Sequence, residues 1–109
     1  MTIKAQLLLS PKPGKKYRVR LTYPDQTKKK VDFGDRRFGD YTKHGNNKRK
    51  ESYLKRHEPN EDWSLEGVDT AGFWSRWILW NQPSVKKSIK DLNRRFYNQI
   101  LTTANVNPV

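Results

Sequence analysis

The chain reads as a small α+β protein, an N-terminal antiparallel β-hairpin packed against about three α-helices, with residues 5–10 a candidate third strand. Three observations predict this class. Tyr17 to Tyr23 alternate apolar and polar side chains, the period of a half-buried strand. A proline turn follows, and a second strand-like run returns from it. Beyond residue 70 the apolar residues recur at helical spacing instead.

Residues 1–14 form an extended arm or linker, because Pro11, Pro13 and Gly14 interrupt any helix or central strand. In the first hairpin strand, Tyr17, Val19, Leu21 and Tyr23 take one face and Arg18, Arg20 and Thr22 the other. Pro24-Asp25-Gln26 makes the turn. Lys28 to Phe33 returns with Val31 and Phe33 inward, and Gly34 ends the strand. Residues 34–47 are loop and turn. Asn47 caps a first helix over Lys48–His57, which Pro59 stops. Thr70 or Asp69 caps a second, Ala71 to about Trp80, in which Phe73, Trp77 and Trp80 make a stripe widened by Trp74 and Ile78. Ser84 caps a third, in which Val85, Ile89, Leu92 and Phe96 share a face. Tyr97, Ile100 and Leu101 prolong that helix or fold back onto it, and residues 102–109 form a flexible tail.

The 109 residues make a single small domain with a thin core, for which a homodimer is the expected support. Cysteine is absent, which excludes a disulfide framework and any Cys-based zinc site. No apolar run reaches the length of a transmembrane segment, so a soluble, intracellular protein is expected.

Charge is the most informative feature. The formal net charge is +12, with Lys and Arg numbering 23 against 11 Asp and Glu. Residues 1–60 hold 17 basic and 6 acidic residues, 17 − 6 = +11; the remainder hold 6 and 5, 6 − 5 = +1. Such a surface suits a polyanion, because phosphates release condensed counterions when cations meet them. The candidate nucleic-acid-binding residues are Lys15, Lys16, Arg18, Arg20, Lys28, Lys29 and Lys30 on the hairpin. To these are added Arg36 and Arg37, and Lys48, Arg49, Lys50, Lys55 and Arg56 on the first helix. Cations set opposite one another across a ladder repel, so the pattern calls for an anion. The plainer reading is a solvated face that keeps strand edges from pairing. No helix-turn-helix, basic heptad array or aromatic ribonucleoprotein motif occurs, so contact without sequence preference is expected.

Other chemistries are weakly signalled. His44 and His57, near Asp40, Glu58 and Asp62, could hold a metal for phosphodiester cleavage, but their spacing matches no motif. The structural reading places Asp40-Tyr41-Thr42 in a polar turn and His57 at a helix C-terminus. No phosphate-cradling glycine loop or dinucleotide fingerprint is present, so a non-enzymatic protein without cofactor, catalytic residues or metal is expected. The aromatic segment from Gly72 to Trp80 offers a base-stacking platform or a partner groove, but at helical spacing it reads rather as core, and Tyr17 and Tyr23 read as core rather than base-stacking residues. Residues 58–69 carry five acids and no base, and form a solvated loop, a shield for the basic face, or a contact to a neighbouring copy.

Lys16-Tyr17-Arg18-Val19 with Val31-Asp32-Phe33-Gly34, Asp40-Tyr41-Thr42-Lys43-His44, Arg49 to His57, Thr70 to Trp77 and Leu79-Trp80-Asn81 form a succession of motifs over about residues 15–96. It resembles a family of small basic proteins of large double-stranded DNA viruses of amoebae and algae, of the marseillevirus, mimivirus and phycodnavirus kinds. That resemblance supplies no catalytic residues. It implies a viral protein carried in the virion, present in the host cytoplasm or nucleus during infection, with viral DNA rather than RNA as the partner. It equally implies a structural role, against capsid proteins or an inner membrane layer and without genome contact.

Overall fold

The computed structural model describes residues 2–104. Its centre is a four-stranded mixed sheet in the order β3-β2-β1-β4, built from β1 (Ile3–Leu9), β2 (Lys15–Thr22), β3 (Lys28–Asp35) and β4 (Ile100–Ala104). Neighbours pair antiparallel except β1 and β4, which run parallel with Ile3 against Ile100. The helices are α1 (Tyr41–His44), α2 (Asn47–His57), α3 (Ala71–Trp74, continued by a π-helical turn over Ser75–Leu79) and α4 (Val85–Arg95). Short 3₁₀ turns at Glu58–Asn60 and Leu65–Gly67 punctuate the acidic connection.

The α+β expectation holds, and the hairpin is β2–β3 in the expected register, with Val19 opposite Val31. The candidate third strand over residues 5–10 is present as β1, which begins at Ile3 and so takes up most of the segment read as an arm or linker. Ala5 and Leu7 alternate into the core, so β1 becomes an inner strand, and only the Pro11–Gly14 stretch remains a connection. Thr102–Ala104 depart from the expected tail and complete β4, because buried Ile100 and Thr102 extend the apolar face by one strand; residues 105–109 lie outside the described residues. Ile100 and Leu101 thus fold back rather than prolong α4. Residues 34–47 also hold more order than a loop, since Asp40 caps α1 by accepting the Thr42 N–H.

One face of the sheet carries the core. Ala5, Leu7, Val19, Leu21, Val31, Phe33 and Ile100 meet Phe73, Trp74, Trp77, Ile78, Leu79, Val85 and Leu92 from α3 and α4. The N-caps follow the sequence with one shift. Thr70 and Ser84 cap α3 and α4, while Asn46 rather than Asn47 caps α2, its side chain accepting from the Arg49 N–H. The π turn, in which the Trp80 N–H bonds the Ser75 carbonyl, buries Trp77, Ile78 and Leu79 in succession and leaves Trp80 half-exposed. Gly34 sits inside β3 at φ +82°, where a Cβ would lie 2.9 Å from Leu79 Cδ1, so the strand continues to Asp35 only because the position is glycine.

The outer edge of β4 is closed by a side chain. Asn93 on α4 donates from Nδ2 to the Thr102 carbonyl at 2.9 Å and accepts the Thr102 N–H at 2.7 Å. Both groups belong to a buried residue. Asn93→Ala is therefore expected to cost about 1–3 kcal/mol, read as a fall in the thermal midpoint, with concentration-dependent association through the bared edge. An unchanged midpoint would show that water replaces the amide.

Candidate nucleic-acid interface

The sheet face turned away from the helices is open. The alternation that points Val19 and Leu21 inward sends Arg20 and Thr22 outward, and β1 and β3 add Lys4, Gln6, Lys28 and Lys30. The register sets two rows across the strands. Lys4 lies opposite Thr22, which lies opposite Lys28; Gln6 lies opposite Arg20, which lies opposite Lys30. Leu101 and Thr103 of β4 continue these rows beside Lys4 and Gln6. The twisted face is concave, and a cavity of about 600 Å³ is lined by these residues. Among the described residues, Lys4, Arg20, Lys28 and Lys30 form no side-chain hydrogen bond or ion pair within the chain. Arg20 and Lys30 face each other directly, an arrangement that costs stability until an anion lies between them.

The same face is neutral at its other end. Arg18 donates to Asp32 through Nε (2.9 Å) and Nη2 (3.1 Å), and Ser10 adds its hydroxyl. Hydrogen bonding from Arg18 outweighs the opposing effect of partial burial and lowers the Asp32 pKa. Other candidate residues are likewise satisfied within the chain. Lys16 donates to Asp40 (2.5 Å) and to the Phe38 carbonyl. Lys29 points to the helix side, where it bonds Asp69 at 2.9 Å. Arg36 donates to the Lys15 and Ser10 carbonyls, and Arg37 grips Asp35, holding that carboxyl down to about 2. Lys50 turns inward to the Asn81 carbonyl and lies over the Tyr41 ring; burial first, then repulsion from Arg76 and Arg95, lowers its pKa. These six cations thus already have partners within the chain, Arg37 and Lys29 in exposed pairs and Arg18 and Lys16 in more enclosed ones.

Lys48, Arg49, Lys55 and Arg56 remain free of ion pairs among the described residues, on the exposed side of α2. They do not share a cavity with the sheet-face cations. Lys86, Lys87 and Lys90 are exposed on α4 as well. The free cations thus form two separate basic surfaces, with further cations on the helix layer. Lys15 lies at the start of β2, in a second hollow beside Gly34 and Asp35. Reading the sequence missed Lys4, although Ile3 to Leu7 alternates as a strand does.

The two histidines are occupied locally. His57 stacks on Tyr53 at 4.2 Å and lies 3.1 Å from Glu61 Oε2, while His44 Nδ1 accepts the Asn46 N–H. No group of three or more His, Asp and Glu is placed to hold a metal among the described residues. The acidic segment covers neither basic surface. Asp69 holds Lys29, Glu61 accepts the Trp63 indole N–H, and Asp62 orders its own turn by accepting from Ser64. Asp91 on α4 anchors the helix layer. Burial opposes its charge, but bonds from Arg95, Asn81 and Arg94 hold it at about 2.

Residues 5–57 match a family described as being of unknown function, DUF5754. The stretch runs from β1 to the end of α2, so every basic residue singled out from the sequence falls inside it and β4 with the α3–α4 layer falls outside. The curated proteins yielded no match, and neither did the solved structures. Among the described residues no helix is long and apolar enough to cross a membrane.

Proposed function

We propose that the protein binds nucleic acid, DNA in the first instance, through phosphate contacts with little sequence preference, and without catalysing a reaction. The observation that carries this reading is the open sheet face, where Lys4, Arg20, Lys28 and Lys30 stand unpaired in one concavity while neighbouring cations are matched to carboxylates. A face kept cationic at a cost in repulsion fits a surface whose partner is an anion. Long, flexible lysines suit phosphates as point charges and carry no base-reading geometry. The likeness to viral basic proteins over residues 15–96 adds a setting, a virion in which cations must neutralise packaged genome.

Salt-titrated binding of duplex DNA, single-stranded DNA and RNA tests it. If all four cations meet phosphates, the log–log salt slope on duplex should be about −3.6. An absence of binding at low salt, or a slope near zero, would sink the proposal. A capsid or inner-membrane role would set the same basic face against acidic surfaces, with the exposed Leu9 and Tyr97 adding apolar contact. Cross-linking in intact particles separates the two readings by whether genome or capsid protein is captured.

A further inference from the structure

The second basic surface differs from the first in having rings. A cavity of about 560 Å³ beside α2 is lined by Phe38, His44 and Trp80 together with Lys48, Arg49 and Arg56. That volume is in the range of small-ligand sites. Phe38 is 64% exposed, unusual for a phenylalanine in a chain that buries Phe33 and Phe73 completely. Arg37 lies over its ring at 5.4 Å, yet much of the residue stays bare. The chain around it is held firmly, since Lys16 bonds the Phe38 carbonyl at 2.7 Å and Asp40 caps α1 two residues on. Trp80 is fixed from behind by stacking on Tyr53, centroids 4.4 Å apart and planes within 6°. His44 lies 5.5 Å from Trp80, and its Nδ1 accepts the Asn46 N–H.

We infer that this cleft takes an unpaired nucleobase of a single strand against Phe38, with the flanking phosphates on Lys48, Arg49 and Arg56. The inference rests on the nucleic-acid reading above and assigns a second, strand-selective site to it. Paired bases keep their faces inside the duplex stack, so an exposed ring among free cations gains from an unpaired base and not from a duplex. The sheet face has cations but no aromatic ring, and therefore does not discriminate in this way. The two surfaces together would let one molecule hold duplex on the sheet and single strand at α2.

The test uses the full chain with a labelled 12-nucleotide oligo(dT) and a 12-base-pair duplex of mixed sequence. Phe38→Ala removes an exposed side chain and is expected to leave the thermal midpoint in place. It should weaken oligo(dT) binding by about 5- to 150-fold, the range of one base–aromatic stack, and leave duplex binding within twofold. Phe38→Trp should restore oligo(dT) binding. Equal losses on both ligands, or no loss on oligo(dT), overturn the cleft assignment. If the parent chain still binds duplex in a salt-dependent way, the sheet-face reading survives that failure; if it binds neither ligand, both fall.

Discussion

Lys4→Gln, Lys28→Gln and Lys30→Gln combined should bind duplex DNA several thousandfold more weakly than the parent chain at about 50 mM salt, and about a hundredfold at about 200 mM. Each neutralised phosphate contributes a slope of about −0.9, and the gain vanishes near 1 M salt. One contact is then worth about 1.2 decades at 50 mM and about 0.6 at 200 mM, and three such contacts are lost. The salt slope should become shallower by about 2.7. Folding should not suffer, because the three side chains are exposed and Lys30 faces Arg20. Relief of that repulsion should leave the thermal midpoint unchanged or raised. Lys86→Gln, Lys87→Gln and Lys90→Gln on α4 form the matched control, since either variant lowers the formal charge by three from +12. The control acts only through the long-range field, which salt screens over about 10 Å at 0.1 M, so its affinity should stay close to the parent's. Equal losses in the two variants would mean that net charge, and no particular surface, governs binding.

The hairpin was legible because alternation fixes which side chains share a face. Arg18, Arg20 and the lysine run had to stand opposite Val19 and Leu21. What alternation leaves open is whether a cation already has a partner. Arg18 and Arg20 are equivalent by pattern, yet Asp32 lies across the ladder from one and Lys30 across from the other. Lys29 escaped the shared face because its parity sends it to the helix side, toward an acid 40 residues away. The sheet's fourth strand was invisible for a related reason. Ile100 and Thr102 are a short pattern that gains meaning only beside β1, whose own run is blurred by Leu8 and Leu9. The aromatic stripe of α3 was legible as core, but the π turn shifted its phase and moved Trp80 to the rim of the α2 cleft. Phe38 carries no sequence signal of exposure. Its neighbours Arg36, Arg37 and Gly39 mark a turn, and only the fold shows that most of the ring stays exposed.

Trp74→Ala should cost about 3–5 kcal/mol, out of a total of about 5–15 for a domain of this kind, and lower the thermal midpoint by about 15 °C or more. Trp74 is fully buried, its ring 6.5 Å from Phe33 on β3 and 5.2 Å from Phe73, and its indole N–H donates to the Val68 carbonyl at 2.6 Å. It therefore ties β3 to the helix layer and to the acidic connection at once. Trp74→Phe helps to separate the two contributions, since it removes the donor while keeping much, though not all, of the apolar contact. The orphaned Val68 carbonyl should cost about 1–3 kcal/mol, a smaller fall in the same melt. Equal losses would place most of the effect in the hydrogen bond, and a negligible loss in Trp74→Ala would mean that the sheet does not depend on this layer. The functional consequence follows from position: β3 carries Lys28 and Lys30 on its outer side and Phe33 on its inner side. At a temperature where Trp74→Phe remains folded, its duplex-binding salt slope should match the parent's, because the phosphate surface depends on the strand being held and not on what holds it.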